Sequence, residues 1–288
     1  MTYQPLDEGV LLRGVVCLSN TEGAAVRRTA LLRTTGLVAG LVLVMATQVG
    51  TAAAAGKTTC KGGSVAAGSY SSLRITGTCM VDSGNVTVRH SVVVASHATL
   101  LAAFGGSTLT IRQNLKVHSG AIVVLGCEAS EFPCLNDNQM APTMSTHQTV
   151  RGNVTATGAL MMLFHNDTVG RNVTQTGGGG GVTCNLFPLG PDGPPAYSTY
   201  EDSTIGRNLT ITGVRSCWMG VIRNTVGRNV NYNHNVLADP DGNEVVTNTI
   251  GRNLNCTGNN PAPQFGDSMG NLNHAGGRGT GQCVKLVA

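Results

Sequence analysis

The stretch Thr204-Ile-Gly-Arg-Asn-Leu-Thr-Ile-Thr-Gly213 recurs along the chain with little change. The other copies are Thr149-Val-Arg-Gly-Asn-Val-Thr-Ala-Thr-Gly158, Thr168-Val-Gly-Arg-Asn-Val-Thr-Gln-Thr-Gly177, Thr225-Val-Gly-Arg-Asn-Val-Asn-Tyr-Asn-His234 and Thr249-Ile-Gly-Arg-Asn-Leu-Asn-Cys-Thr-Gly258. Within each copy the hydrophobic period is two. Val154/Ala156, Val173/Gln175, Leu209/Ile211, Val230/Tyr232 and Leu254/Cys256 alternate with Thr or Asn, the pattern of a half-buried strand. Strands this short cannot offset their own ordering entropy, about 1–2 kcal/mol per residue, so the copies must stack. The repeated Asn stands at 153, 172, 208, 229 and 253, in steps of 19, 36, 21 and 24, the spacing of solenoid repeats.

These observations predict an all-β fold, a right-handed parallel β-helix (β-solenoid), with equivalent residues of successive turns about 4.8 Å apart. Val, Leu and Ile would form one inner column. The Gly-Arg-Asn corner is expected to exploit the left-handed backbone that Gly and Asn tolerate, with Asn side chains hydrogen-bonded from turn to turn. Weaker copies surround Asn85, Asn114 and Asn271. Departures from the period predict loop insertions near 127–147 and 177–202, the second rich in Gly and Pro and unable to continue a strand. The segment from Val65 to Val124 should carry less regular strands and an N-terminal cap, and the Cys256–Cys283 region should cover the other end.

Toward the N-terminus, Arg27, Arg28 and Arg33 precede an uncharged stretch from Thr34 to Ala55 with an apolar centre at Leu37 to Met45. This predicts a secretory signal peptide of ordinary Sec type, cleaved after Ala54 or Ala55, with Val26 a candidate start. Residues 1–55 are then an N-terminal extension and signal peptide, and 56–288 the mature β-helix domain. No membrane association is expected after cleavage, and the protein should be secreted. Beyond Cys17 in the leader, the eight cysteines Cys60, Cys79, Cys127, Cys134, Cys184, Cys217, Cys256 and Cys283 form an even set, as a disulfide framework in an oxidising compartment requires. Near-sequence pairing is expected in a solenoid: 60 with 79, 127 with 134, 184 with 217, and 256 with 283. No C-x2-C spacing occurs, so zinc is not expected.

Only 12% of residues are charged and 4% aromatic, with Gly at 39 residues and a net charge of +4. Charge so sparse lacks the basic patch that nucleic acid demands. No nucleic-acid partner and no cofactor are expected.

The C-terminal run Asn248-Thr-Ile-Gly-Arg-Asn-Leu-Asn-Cys-Thr-Gly-Asn-Asn-Pro-Ala-Pro263, ending in Gly281-Gln-Cys283, resembles a group of secreted right-handed parallel β-helix repeat proteins of actinobacteria. The similarity covers roughly 56–288. It implies a secreted β-helix and brings no established activity. A likeness to pectate-lyase-type β-helices is architectural.

Two surface features are candidates for binding. One is an arginine column, Arg171, Arg207, Arg228 and Arg252, which would suit an anionic polymer or else serve as a solvated corner packing its stems on neighbouring turns. The other is a flat outward array of Thr155, Thr157, Thr174, Thr176, Thr210 and Thr212, continued by Asn231, Asn233, Asn255 and Thr257. Such an array suits ice or a crystalline polysaccharide, or is what any exposed parallel face displays. The drift to Asn argues against ice.

Enzyme chemistry has less support. Glu201, Asp202, His165 and Asp167 lie near equivalent corners with no spacing that marks an acid/base pair, and the acids are expected in loops. Asp239-Pro-Asp-Gly-Asn-Glu244 carries three carboxylates and matches only a fragment of a calcium loop, so a polar turn is expected there and no metal. No Gly-x-Ser-x-Gly elbow or P-loop occurs. The Asn-x-Thr matches at 85, 153, 166, 172, 208 and 255 follow from the repeat itself. The expected function is therefore a non-catalytic secreted structural or interaction β-helix, with extracellular or cell-wall polysaccharide as its partner class. The alternative is a carbohydrate-active lyase or hydrolase acting beside the 177–202 loop. Oligomeric state is not legible.

Overall fold

The computed structural model describes residues 55–191, 193–268 and 270–288. The predicted leader with Cys17 lies outside the described residues, apart from Ala55, where the first strand begins. The described chain is all-β, with short strands joined in parallel into long sheets. One sheet of 18 strands and one of eight dominate, and a pair of two-residue strands, Arg215–Ser216 and Val236–Leu237, forms a small third.

Each repeat copy supplies two strands to the larger sheet, one on either side of its Gly-Arg-Asn corner. In the second copy these are Thr168–Val169 and Val173–Thr176, and in the third Thr204–Ile205 and Leu209–Thr212. Between copies the chain crosses to the eight-stranded sheet, which takes Met161–His165, Tyr197–Glu201, Trp218–Ile222 and Asn243–Val246 in that order. Every pairing between these strands is parallel and in repeat register, for example Val173 beside Leu209 and Leu209 beside Val230. The inner column forms as the period requires: Val154, Val173, Leu209, Val230 and Leu254 are each fully buried. One such side chain buried whole contributes about 1.5–3 kcal/mol, and stacking makes that burial continuous.

The Asn column is a hydrogen-bonded ladder. The Nδ2 of Asn172, Asn208 and Asn229 each donates to the Oδ1 of the Asn one rung earlier, at 3.0–3.1 Å, and the backbone N–H of each donates to the same oxygen. A second, buried ladder runs through the 148, 167, 203, 224, 248 and 273 positions: the N–H of Asn224 donates to Asn248 Oδ1 at 2.9 Å, and that of Asn248 to Asn273 Oδ1 at 3.0 Å. A third joins Asn235, Asn259 and Gln282. Each satisfies corner N–H groups that burial would otherwise leave unpaired.

The corner glycines work differently from the expectation. Gly206, Gly227 and Gly251 are not left-handed; instead a Cβ on each would lie 2.3–2.4 Å from the carbonyl oxygen of the glycine one rung before. Close backbone approach, and not turn conformation, excludes a side chain. Left-handed residues fill another corner, Asn166, Asp202, Arg223 and Thr247, directly after the strands of the smaller sheet.

The four disulfides join Cys60 to Cys79, Cys127 to Cys134, Cys184 to Cys217 and Cys256 to Cys283. The second insertion is shorter than its sequence suggests, because Tyr197–Glu201 is already a strand of the smaller sheet. Both insertions fold onto that sheet's outer face, where Phe132, Leu135, Met144, Leu160 and Leu189 pack against Ile122, Val124, Met161 and Leu163. At the C-terminal end His274–Ala275 and Gly279–Gly281 pair with the last repeat copy and a short 3-10 turn, Val284–Leu286, follows.

Candidate functional site

The stacking that buries Val and Leu also brings the outward residues of successive copies side by side. Arg171, Arg207, Arg228 and Arg252 form an unbroken backbone ladder: the N–H groups of Arg207, Arg228 and Arg252 each donate to the carbonyl of the arginine before at 2.9–3.0 Å, and that of Arg171 donates to Gly152. All four are exposed, and among the described residues none makes an ion pair. Arg89, Arg112 and Arg151 extend the stripe on earlier rungs, one residue position to the side: Arg112 and Arg151 stack as Gly170 and Gly206 do later. At the other end Gly277 takes the next place after Arg252, and Arg278 stands one position to the side, on the Asn column, its N–H on Asn253 Oδ1.

The Thr array is likewise in register. Thr155 pairs with Thr174 and Thr157 with Thr176, and these lead to Thr210 and Thr212, then Asn231 and Asn233. Thr155, Thr157 and Thr176 are exposed, and Thr174, Thr210 and Thr212 half-buried. Later in the array the polar groups bond to one another: Asn231 Nδ2 donates to Thr210 Oγ1 at 3.3 Å, Asn255 Nδ2 to Asn231 Oδ1 at 2.9 Å, and Thr280 Oγ1 to Asn255 Oδ1 at 2.8 Å. That self-pairing leaves fewer free groups toward the C-terminal end. The Arg corner column and the Thr array thus run side by side along the larger sheet, with the Asn ladder between them.

The acids lie elsewhere, along the smaller sheet, and some stand in strands, contrary to the expectation that they occupy loops. Glu201 ends the strand Tyr197–Glu201, and Asp202 and Arg223 occupy successive left-handed corners. Arg223 grips Asp202 with two hydrogen bonds of 2.7 Å and reaches Glu201 at 3.2 Å and Glu131 at 3.3 Å. The disulfide-closed 127–134 loop supplies Glu131 and also Glu128, whose carboxyl meets that of Asp202. Burial first, and Asp202 second, push Glu128 up to about 7. Two carboxyls in contact share a proton more readily than they ionise together. Behind them the His165 ring stacks on Phe132 at 3.7 Å with neither nitrogen partnered, and burial pushes it down to about 3, so it is neutral. Asp167, next in chain but one, is buried in the second ladder, where burial raises its carboxyl well above the ordinary value. Its Oδ1 accepts from the Gln148 N–H at 2.8 Å, and Oδ2 lacks a partner.

The convergence of Glu128, Glu131, Asp202 and Arg223 escaped sequence reasoning. One signal was present: the residues preceding each Thr, Asn166-Asp167, Asp202-Ser203, Arg223-Asn224 and Thr247-Asn248, are a further pair of repeat columns.

No protein-family model, curated protein or solved structure matches the chain. The geometry alone therefore carries the functional reading.

Proposed function

We propose that the mature chain is a secreted right-handed parallel β-helix that acts by binding, and that its arginine edge and adjoining Thr face contact an extended anionic polymer of the cell-wall or extracellular polysaccharide class. Support for the closed coil comes from the regular alternation between the two sheets with parallel pairing throughout, for which right-handed crossovers are the rule. Support for export comes from four disulfides, which persist in oxidising compartments. No helix among the described residues is long and apolar enough to cross a membrane.

The observation that carries the binding reading is the stack of exposed guanidiniums, which make no ion pair among the described residues. Like charges about 4 Å apart in water repel by about 1 kcal/mol, and an anionic partner relieves every such contact at once. The rung spacing of about 4.8 Å is close to the length of one sugar ring, so a uronate chain lying along the column meets the arginines repeatedly with its carboxylates. Guanidinium forks hold such groups with paired hydrogen bonds. Sedimentation with alginate, pectate and neutral cell-wall glucans tests this. The protein should pellet with the acidic polymers, release no soluble product, and be displaced by salt; equal binding to neutral glucans would refute it.

A second reading, a carbohydrate-active enzyme, has one observation in its favour. Arg223 holds Asp202 through two hydrogen bonds, and burial pushes the neighbouring Glu128 up to about 7, which sets a proton-holding carboxyl beside an ion-paired one, as such catalysis uses. Release of reducing or unsaturated ends, abolished by Glu128→Gln, would support it.

A further inference from the structure

The last strand of the smaller sheet, Asn243–Val246, follows the turn Asp239-Pro-Asp-Gly242 and carries Glu244 on the row that Thr199 and Gly220 occupy in the preceding strands. Gly220 has no side chain, and a Cβ there would lie 2.3 Å from the Trp218 ring. The indole therefore lies across Gly220, and its Nε1–H donates to Glu244 Oε1 at 2.7 Å. From the other side the turn at Gly266 closes down: that residue is left-handed, and a Cβ on it would sit 2.4 Å from the Glu244 carboxyl carbon. Asp267 follows directly, and its carboxyl adjoins that of Glu244. Glu244 is 1% exposed, yet its Oε2 has no hydrogen-bond partner. The Oγ of Ser268, next along the same turn, is also buried without a partner.

The charges bearing on Glu244 are those of Asp267 and Asp241, and those bearing on Asp239 are Asp241 and Asp267, all negative. A buried carboxyl among three others, with one oxygen unpaired, lacks the counter-charge that burial of a charge requires. We propose that Asp239, Asp241, Glu244 and Asp267 form a calcium-class divalent-cation site. Its effect is to pin the 261–268 segment to the end of the sheet. An all-oxygen, carboxylate-rich donor set suits this hard cation, which accepts six to eight ligands in flexible geometry. Among the described residues no group of three or more His, Cys, Asp or Glu side chains is placed to hold a metal ion as it stands. Glu244 is fixed by Trp218 and the sheet, whereas the other three carboxylates stand on turns, so the cation assembles the site by drawing them in.

The chain has one tryptophan, and it touches the proposed site, so terbium luminescence excited through Trp218 reads occupancy there. The mature protein, stripped with EDTA, should show saturable sensitised emission that calcium displaces, and calcium should raise its thermal midpoint. Asp267→Asn and Asp239→Asn, near-isosteric changes on turns, should each weaken both effects at least tenfold while circular dichroism stays unchanged. Emission that never saturates, or that persists undiminished in both variants, would overturn the site. So would Trp218 fluorescence that titrates with pH but ignores calcium, since a proton shared by Glu244 and Asp267 would then supply the missing charge.

Discussion

Replacing Asn208 by Ala should be among the most costly changes available at a half-exposed position. Asn208 Oδ1 accepts from the backbone N–H and from Nδ2 of Asn229, both at 3.1 Å, and its own Nδ2 donates to Asn172 Oδ1 at 3.1 Å. Three hydrogen bonds are lost. At about 1 kcal/mol net each the change costs about 3 kcal/mol, a shift of about two decades in the unfolding equilibrium. Arg207→Ala, one residue away and exposed, should stay within about 0.5 kcal/mol. Asn208→Asp keeps the acceptor toward Asn229 but sets a carboxylate oxygen against Asn172 Oδ1, so its loss should be largest near pH 7 and shrink when the carboxyl is protonated below about pH 4. Urea unfolding of the protein, followed by circular dichroism, measures all three. Should Asn208→Ala cost no more than Arg207→Ala, the ladder would be a geometric coincidence without energetic weight.

Three further outcomes follow from the packing and the buried acids. Gly227→Ala places a methyl against the Gly206 carbonyl oxygen at 2.4 Å, so it should lower stability by about 1–3 kcal/mol through forced backbone movement, visible as a reduced thermal midpoint. Asp167→Asn keeps the acceptor for the Gln148 N–H and removes a carboxyl whose ionisation burial opposes. It should therefore stabilise by more than about 1 kcal/mol at pH 7 and change nothing below the pKa of the unfolded chain. Glu128 binds its proton more tightly when folded, so its contribution is complete below about 4.5 and is lost as pH rises toward about 7. Glu128→Gln should flatten the fall of the thermal midpoint across that window; an unchanged pH profile would show that the carboxyl is not confined as described.

Much of the architecture was legible because stacking imposes one rule on every copy. A period of two decides which of Val173, Thr174, Gln175 and Thr176 turns inward, and the even cysteine set with near-sequence spacing gave the four pairs now seen. What escaped depends on contacts that no local pattern encodes. Gln175 reads as a break in the apolar column, yet inside it donates to Ser198 Oγ at 3.1 Å and accepts from the Tyr200 hydroxyl at 3.0 Å. Tyr232 similarly reaches Asn243 within the core. The corner glycines looked like turn residues because composition cannot separate a left-handed backbone from a close approach. The acid corner needed Arg223, Asp202 and the 127–134 loop together, groups far apart in sequence whose meeting depends on how an insertion folds back.

The binding account rests on the arginine edge, and the salt dependence of affinity for a uronate polymer tests it most directly. Wild-type protein and a variant with Arg171, Arg207, Arg228 and Arg252 all changed to Gln should be titrated with pectate and alginate by calorimetry at several ionic strengths. The wild type should bind and weaken steeply as salt rises, because neutralised charges release counterions; the variant, folded by circular dichroism, should lose most of both the affinity and the slope. A folded variant that binds as tightly as the wild type, or a wild type that binds neither polymer at low salt, would contradict the assignment of this face.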